Sequence, residues 1–185
     1  MEEQFDIKTV YAIICSSLFL IIFNIAVWQH GFIPSEWGVF ICILVVTAIS
    51  GTYGAVTGLI VPIASCATTA AIFSSSLAVE DMIILVIIGA VTGYYSKYFE
   101  IRTGTFSKKG IIDFVIIEFA VNVFVWMLMR PMGHVMYYMS DVRLTIRRGF
   151  VMMIISLGVV YCICIPLLLL VNSLFTRRRT MSGLE

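Results

Sequence analysis

Between Gly110 and Arg130 the sequence is almost wholly apolar for the length of a bilayer crossing, yet four side chains recur within it at intervals of four: Glu118, Asn122, Trp126 and Arg130. In an α-helix such positions stack on one face, drifting by about 40° per step. They form one slowly turning stripe, about 18 Å long at 1.5 Å per residue. An acid, an amide, an indole and a guanidinium would be costly to place against lipid. The stripe is therefore expected to face protein or a water-filled pocket, as one wall of a binding site.

Composition sets the surroundings of that wall. The chain has 185 residues, 61% hydrophobic and only 12% charged, against about 25% charged in soluble domains. It reads as an integral membrane protein, with room for about six spans. A formal net charge of +1 gives no reason to expect nucleic acid. The five cysteines (Cys15, Cys42, Cys66, Cys162 and Cys164) all fall in apolar runs and read as small buried hydrophobes. Cys162 and Cys164 point to different helix faces, which argues against a shared metal. Glu2, Glu3 and Asp6 lack the positive start of a cleavable signal peptide.

Taken in order, the apolar runs predict an all-α, integral membrane six-helix bundle forming one transmembrane domain, with spans at about 9–28, 37–50, 54–73, 82–98, 110–130 and 148–175. In the first, Ala12 and Ser16 make a small-xxx-small pair suited to close helix approach, and Trp28 sits where an interfacial aromatic is expected. The second is short, consistent with tilt or partial interfacial burial. Gly54-Ala55-Val56-Thr57-Gly58 opens the third span and recurs as Gly89-Ala90-Val91-Thr92-Gly93 in the fourth. The flanking residues do not match, so close packing explains the two copies better than an internal repeat. Pro62 is expected to kink the third span. Its far end is rich in hydroxyls, most of which bond back to their own helix in such settings. Loops are expected at Leu77–Asp81, with the acids Glu80 and Asp81, and from Met132 to Thr145, with the fifth span ending at Pro131.

The lysines and arginines orient the bundle. Lys8, Lys97, Arg102, Lys108, Lys109, Arg177, Arg178 and Arg179 fall on the side of the two termini, and only Arg130, Arg143, Arg147 and Arg148 on the other. Both termini are therefore predicted cytoplasmic. Arg130, Trp126 and Asn122 then lie in the outer half of the fifth span, with Glu118 deeper. The four outer arginines go against the trend and are expected to meet lipid phosphate or an anionic solute.

Several of these motifs occur together in one known group. The small-residue entry at Gly89, the turn Gly104-Thr105-Phe106-Ser107-Lys108-Lys109, the series Asn122…Trp126…Pro131 and the tail Thr176-Arg177-Arg178-Arg179-Thr180-Met181-Ser182-Gly183 follow in order, with Gly54–Gly58 before them. In this the chain resembles the substrate-binding S components of energy-coupling factor (ECF) transporters, and within them a family of uncharacterised bacterial S components. The resemblance implies a six-helix bundle in the bacterial plasma membrane, with an outward-facing pocket near the loops after spans one, three and five. It implies partners: a transmembrane coupling protein and a pair of ATPase subunits that use the ATP. It implies a vitamin-like or other micronutrient solute, and no permanently bound cofactor. Members use AxxxA in span one to meet the coupling protein. Here that register holds Ala12 and Ser16. Where relatives often carry histidine or aspartate at the end of span three, this chain has Ala64-Ser65-Cys66-Ala67, which implies a different solute.

The chain has no GxxxxGK[ST] loop, so energy for import would come from a partner. Trp126 is suited to stack on a flat ring, Asn122 to supply a donor and an acceptor, and Arg130 to pair with an anion. Each has a plainer role too: interfacial anchor, helix–helix bond, lipid contact. Glu118 is equally suited to pair with another helix. A haem-binding variant rests on His30 and His134, with Met127, Met129, Met132, Met136 and Met139 nearby. A structural scaffold whose function is its GxxxG faces is the other alternative. An enzyme is not expected, because HExxH, GxSxG and paired intramembrane carboxylates are all missing.

Overall fold

The computed structural model describes residues 6–30, 35–73 and 76–182, with side chains for all of these but 28–30, 35–36, 76–79, 137–138 and 178–182. The described residues are all-α. Helices α1 (Ile7–His30), α2 (Ser35–Tyr53), α3 (Ala55–Phe73) and α4 (Ser76–Phe99) run up and down in turn. A 3₁₀ turn (Ile101–Thr103) leads to α5 (Lys108–Val123), then a π-helical turn (Phe124–Met129) and α6 (Arg130–Tyr138). The last rod is α7 (Val142–Val159), a second π-helical turn (Val160–Cys164) and α8 (Ile165–Ser182). Five stretches are long and apolar enough to cross a membrane: Ile7–Val27, Ala55–Phe73, Glu80–Phe99, Lys108–Met136 and Val142–Arg177. A sixth, Trp37–Tyr53, is apolar but shorter. The molecule is thus of the multi-pass helical membrane type.

The short α2 is no interfacial element. Ile43, Val46, Thr47 and Ser50 are all but inaccessible, and Val39, Phe40 and Cys42 are buried beside them. This helix is the centre of the bundle. The tight link to α3 is possible because Gly54 takes φ +98°, a region open to glycine.

The two identical pentapeptides pack against each other. A β-carbon added to Gly58 would lie 2.1 Å from the carbonyl oxygen of Gly89, and one added to Gly89 would lie 2.3 Å from that of Gly58. At the other end of the crossing, a β-carbon on Gly93 would meet the Ala55 α-carbon at 2.5 Å. Helices α3 and α4 are antiparallel, so the first glycine of each copy faces the last of the other. Backbone contact of this closeness requires glycine on both sides.

Two expected loops are helical instead. Glu80 and Asp81 belong to α4. The fifth rod does not end at Pro131 but continues to Tyr138. Proline has no N–H and its ring crowds the carbonyl four residues back. The chain accommodates this with the π-turn, in which the Arg130 N–H reaches back to the Val125 carbonyl. Pro166 is preceded by the same device, with Ile165 N–H bonded to Val160. Asp141 then caps α7, its carboxylate accepting from Arg143 N–H at 2.7 Å and Leu144 N–H at 3.3 Å.

The bundle has two chemically different ends. At one, Arg102 pairs with Asp6 at 2.9 Å, Phe106 N–H donates to Asn172 Oδ1 at 3.1 Å, and the Thr176 hydroxyl donates to the Gly104 carbonyl at 3.0 Å. The other carries Arg130, His134, Arg143, Arg147 and Arg148, with the first turns of α4 beside them.

Candidate functional site

The stripe divides into two parts with different surroundings. Glu118 and Asn122 are fully buried. The Thr92 hydroxyl of α4 donates to Glu118 Oε1. The Asn122 amide donates to the Glu118 carbonyl at 2.8 Å and to Oε2 at 3.3 Å. Ser156 of α7 donates to Asn122 Oδ1 at 2.5 Å. These side chains find their partners inside the bundle and line none of the cavities described below. In apolar surroundings such bonds join helices. Glu118 and Asn122 thus tie α4, α5 and α7 together, the plainer of the two roles open to them.

Above this network the π-turn changes the register. Its wider turn takes more residues per revolution, which offsets the forward drift of an i, i+4 series. Trp126 and Arg130 consequently stay stacked, with the guanidinium carbon 4.9 Å from the ring centre. Trp126 is completely buried, its ring 6.1 Å from that of Phe40 on α2. It offers no open face for stacking on a solute ring, so the expected stacking role is corrected: the indole is the floor under Arg130. Both Trp126 Nε1 and Arg130 Nη1 are shut from solvent without a hydrogen-bond acceptor among the described residues. Gly149 explains how α7 comes so close. A β-carbon there would lie 2.2 Å from the Trp126 carbonyl oxygen.

A cavity of ≈ 100 Å³ opens at this end of the bundle, with Arg130, Pro131, His134, Ser140, Thr145 and Arg148 in its lining. His134 Nε2 is 3.3 Å from a carboxylate oxygen of Glu80. Asp81, the next residue on α4, lies within electrostatic range of both Arg130 and Glu80. Two guanidiniums, an imidazole and two carboxylates therefore converge where α4, α6 and α7 meet. Such a set can hold a polar solute through charge and hydrogen bonds, with guanidinium suited to a carboxylate or phosphate.

Of the residues singled out in the sequence, Arg130 and His134 reach the cavity, and Trp126 supports Arg130. The backbone of His30 ends α1 at the same end of the bundle; its side chain lies outside the described residues. Arg148, one of the four outer arginines expected to meet lipid phosphate or an anionic solute, also lines the cavity, and Glu80, Asp81, Ser140 and Thr145 are additions from the structure. The two acids were visible in the sequence, but only the helical start of α4 turns them toward His134 and Arg130. Of the pair on α1 expected to meet a partner, Ala12 is partly exposed and Ser16 is buried. Ser16 is only 6% exposed and its hydroxyl bonds to the Ala12 carbonyl. Small size there serves the approach of α1 to the rest of the bundle. The exposed face of α1 carries Tyr11, Ile14, Leu18 and Ile22 instead.

No family model and no solved structure matches the chain. It is similar to UPF0397 proteins of streptococci. One from Streptococcus pneumoniae (strain Hungary19A-6) is 29% identical over 171 residues, covering 92% of both chains. Another from Streptococcus pneumoniae (strain Taiwan19F-14) gives the same figures. One from Streptococcus sanguinis (strain SK36) is 30% identical over 97 residues, 52% of this chain and 51% of the relative. The pneumococcal similarity runs nearly end to end. The chain is a helical, multi-pass membrane protein whose homologues are UPF0397 proteins.

Proposed function

We propose that this protein is the membrane-embedded solute-binding subunit, an S component, of an ATP-driven ECF-type importer. In this reading the rods make six crossings of the bacterial plasma membrane, with α2 as the short central one. Both termini are cytoplasmic, and the cavity at the Arg130 end opens outward. The uneven division of lysine and arginine between the two ends supports that orientation.

The observation that carries the reading is the convergence of Arg130, His134 and Arg148 on one cavity, with Arg130 seated on a buried Trp126. Charged groups at a bundle end, around a cavity with room for one anionic group, support capture of a solute by that group. Arg130 and Arg148 take an anionic group of a micronutrient solute, and Ser140 and Thr145 supply hydroxyls. The haem variant finds less support. His134 Nε2, a potential iron-binding atom, faces Glu80.

Transport needs a transmembrane coupling protein and two ATPase subunits. The exposed apolar row Tyr11, Ile14, Leu18 and Ile22 on α1 is the face we assign to the coupling protein. The test is affinity purification from the native host in mild detergent. ATPase subunits are expected to co-purify, and Ile14→Glu with Leu18→Glu to lose them. A protein recovered with no ATPase under conditions that keep the bundle folded would overturn the importer reading and favour a scaffold.

A further inference from the structure

Arg147 and Arg148 flank a second feature, which adjoins the solute cavity and shares Arg148 with it. It is an open groove of ≈ 300 Å³ along α7, lined by Leu144, Arg147, Arg148, Val151 and Met152. Both arginines are exposed. Neither pairs with a carboxylate among the described residues, where the ion pairs are Arg102–Asp6 and His134–Glu80. Successive residues on a helix point about 100° apart, so the two guanidiniums stand on either side of the groove. From that end α7 runs into the apolar middle of the bundle. Val151 and then Ile154, about half exposed, continue the groove as a hydrocarbon surface.

Two unpaired guanidiniums above an apolar runway match one kind of molecule present around every membrane protein. We propose that this groove is a binding site for an anionic phospholipid of the adjacent leaflet. Arg147 and Arg148 take the phosphate oxygens, and an acyl chain lies along Val151 and Ile154. Arginine near a span end is stabilised when its head reaches the polar layer. Paired guanidiniums prefer a net anion over a zwitterion, whose own cation opposes them. The inference needs only the membrane setting of α7, not the importer reading. Leu144, Arg148 and Met152 also line the solute cavity. A bound headgroup that fixes Arg148 therefore steadies one wall of that cavity.

The test is native mass spectrometry of the purified full chain titrated with phosphatidylglycerol, with phosphatidylcholine of the same acyl chains, and with inorganic phosphate. A preferential phosphatidylglycerol adduct is expected. The Arg147→Gln/Arg148→Gln double variant is expected to bind it about thirtyfold more weakly. Arg147→Gln alone, which leaves the solute cavity's lining intact, should account for about fivefold of that. Lys108→Gln/Lys109→Gln, at the opposite end, should leave the adduct unchanged. Equal uptake of both lipids, full binding by the double variant, or displacement of the lipid by equimolar inorganic phosphate would each overturn the proposal.

Discussion

The guanidinium of Arg130 rests on the buried ring of Trp126, 4.9 Å from its centre, and this stacking joins the packed interior to the cavity above it. The two residues should therefore respond differently to substitution. Trp126→Ala removes a fully buried indole and is expected to lower stability by about 3–5 kcal/mol. Arg130→Gln gives up a cation–π contact and should change stability by only about 1 kcal/mol. It should instead weaken solute capture about ten- to hundredfold, as expected for a lost charge-assisted hydrogen bond. Thermal unfolding in detergent, paired with solute binding, separates the two effects.

The crossing of α3 and α4 leaves no space for a methyl group. Gly58→Ala and Gly89→Ala each place a β-carbon inside backbone contact distance, and the helices must separate. A loss of about 1–3 kcal/mol is expected for each. Gly133 on α6 is the contrast, because nothing lies within 4 Å of its would-be β-carbon. Gly133→Ala should be neutral or stabilising by up to about 1 kcal/mol, from helix propensity. The same unfolding measurement ranks the three.

The Thr92–Glu118–Asn122–Ser156 chain is predicted to matter for the bundle rather than for capture. Ser156→Ala leaves Asn122 Oδ1 without its donor and should lower stability by about 0.6–2 kcal/mol. Glu118→Gln keeps the shape. Its amide can donate to the Thr92 hydroxyl while its oxygen accepts from Asn122. That variant should fold and capture solute normally, whereas Glu118→Leu should be clearly destabilised. A large loss of binding by well-folded Glu118→Gln would show that the carboxylate itself meets the solute.

Orientation can be read chemically. Met139 is 91% exposed at the Arg130 end, and Lys109 is exposed at the opposite one. In a background with Cys15 and Cys162 replaced by alanine, Met139→Cys should react with a membrane-impermeant maleimide added to intact cells. Lys109→Cys should react only after lysis. The reverse pattern would invert the bundle.

Much of this architecture was legible in the sequence, because apolar length and glycine spacing act locally. The two GAVTG copies announce a close crossing, although only the fold shows that they meet each other. In the stripe, Glu118, Asn122 and Trp126 are fully buried within the bundle and Arg130 is half-buried. Spacing could not say which of its members meet a cavity and which meet another helix. That depends on Ser156 and Gly149, which lie far along the chain. Pro131 misled the reading in a physical way. Proline usually ends a helix, but a π-turn absorbs its missing donor and carries the rod on to Tyr138. Ser16 is ambiguous in another way, since a small residue serves an internal contact as well as an external one.

Native mass spectrometry of the protein purified from its own host addresses solute capture most directly. A small anionic molecule is predicted to leave with the wild-type protein, and to be missing from equally folded Arg130→Gln. A wild-type protein that carries no such molecule, or one that Arg130→Gln retains in full, would contradict capture at the cavity beside Arg130.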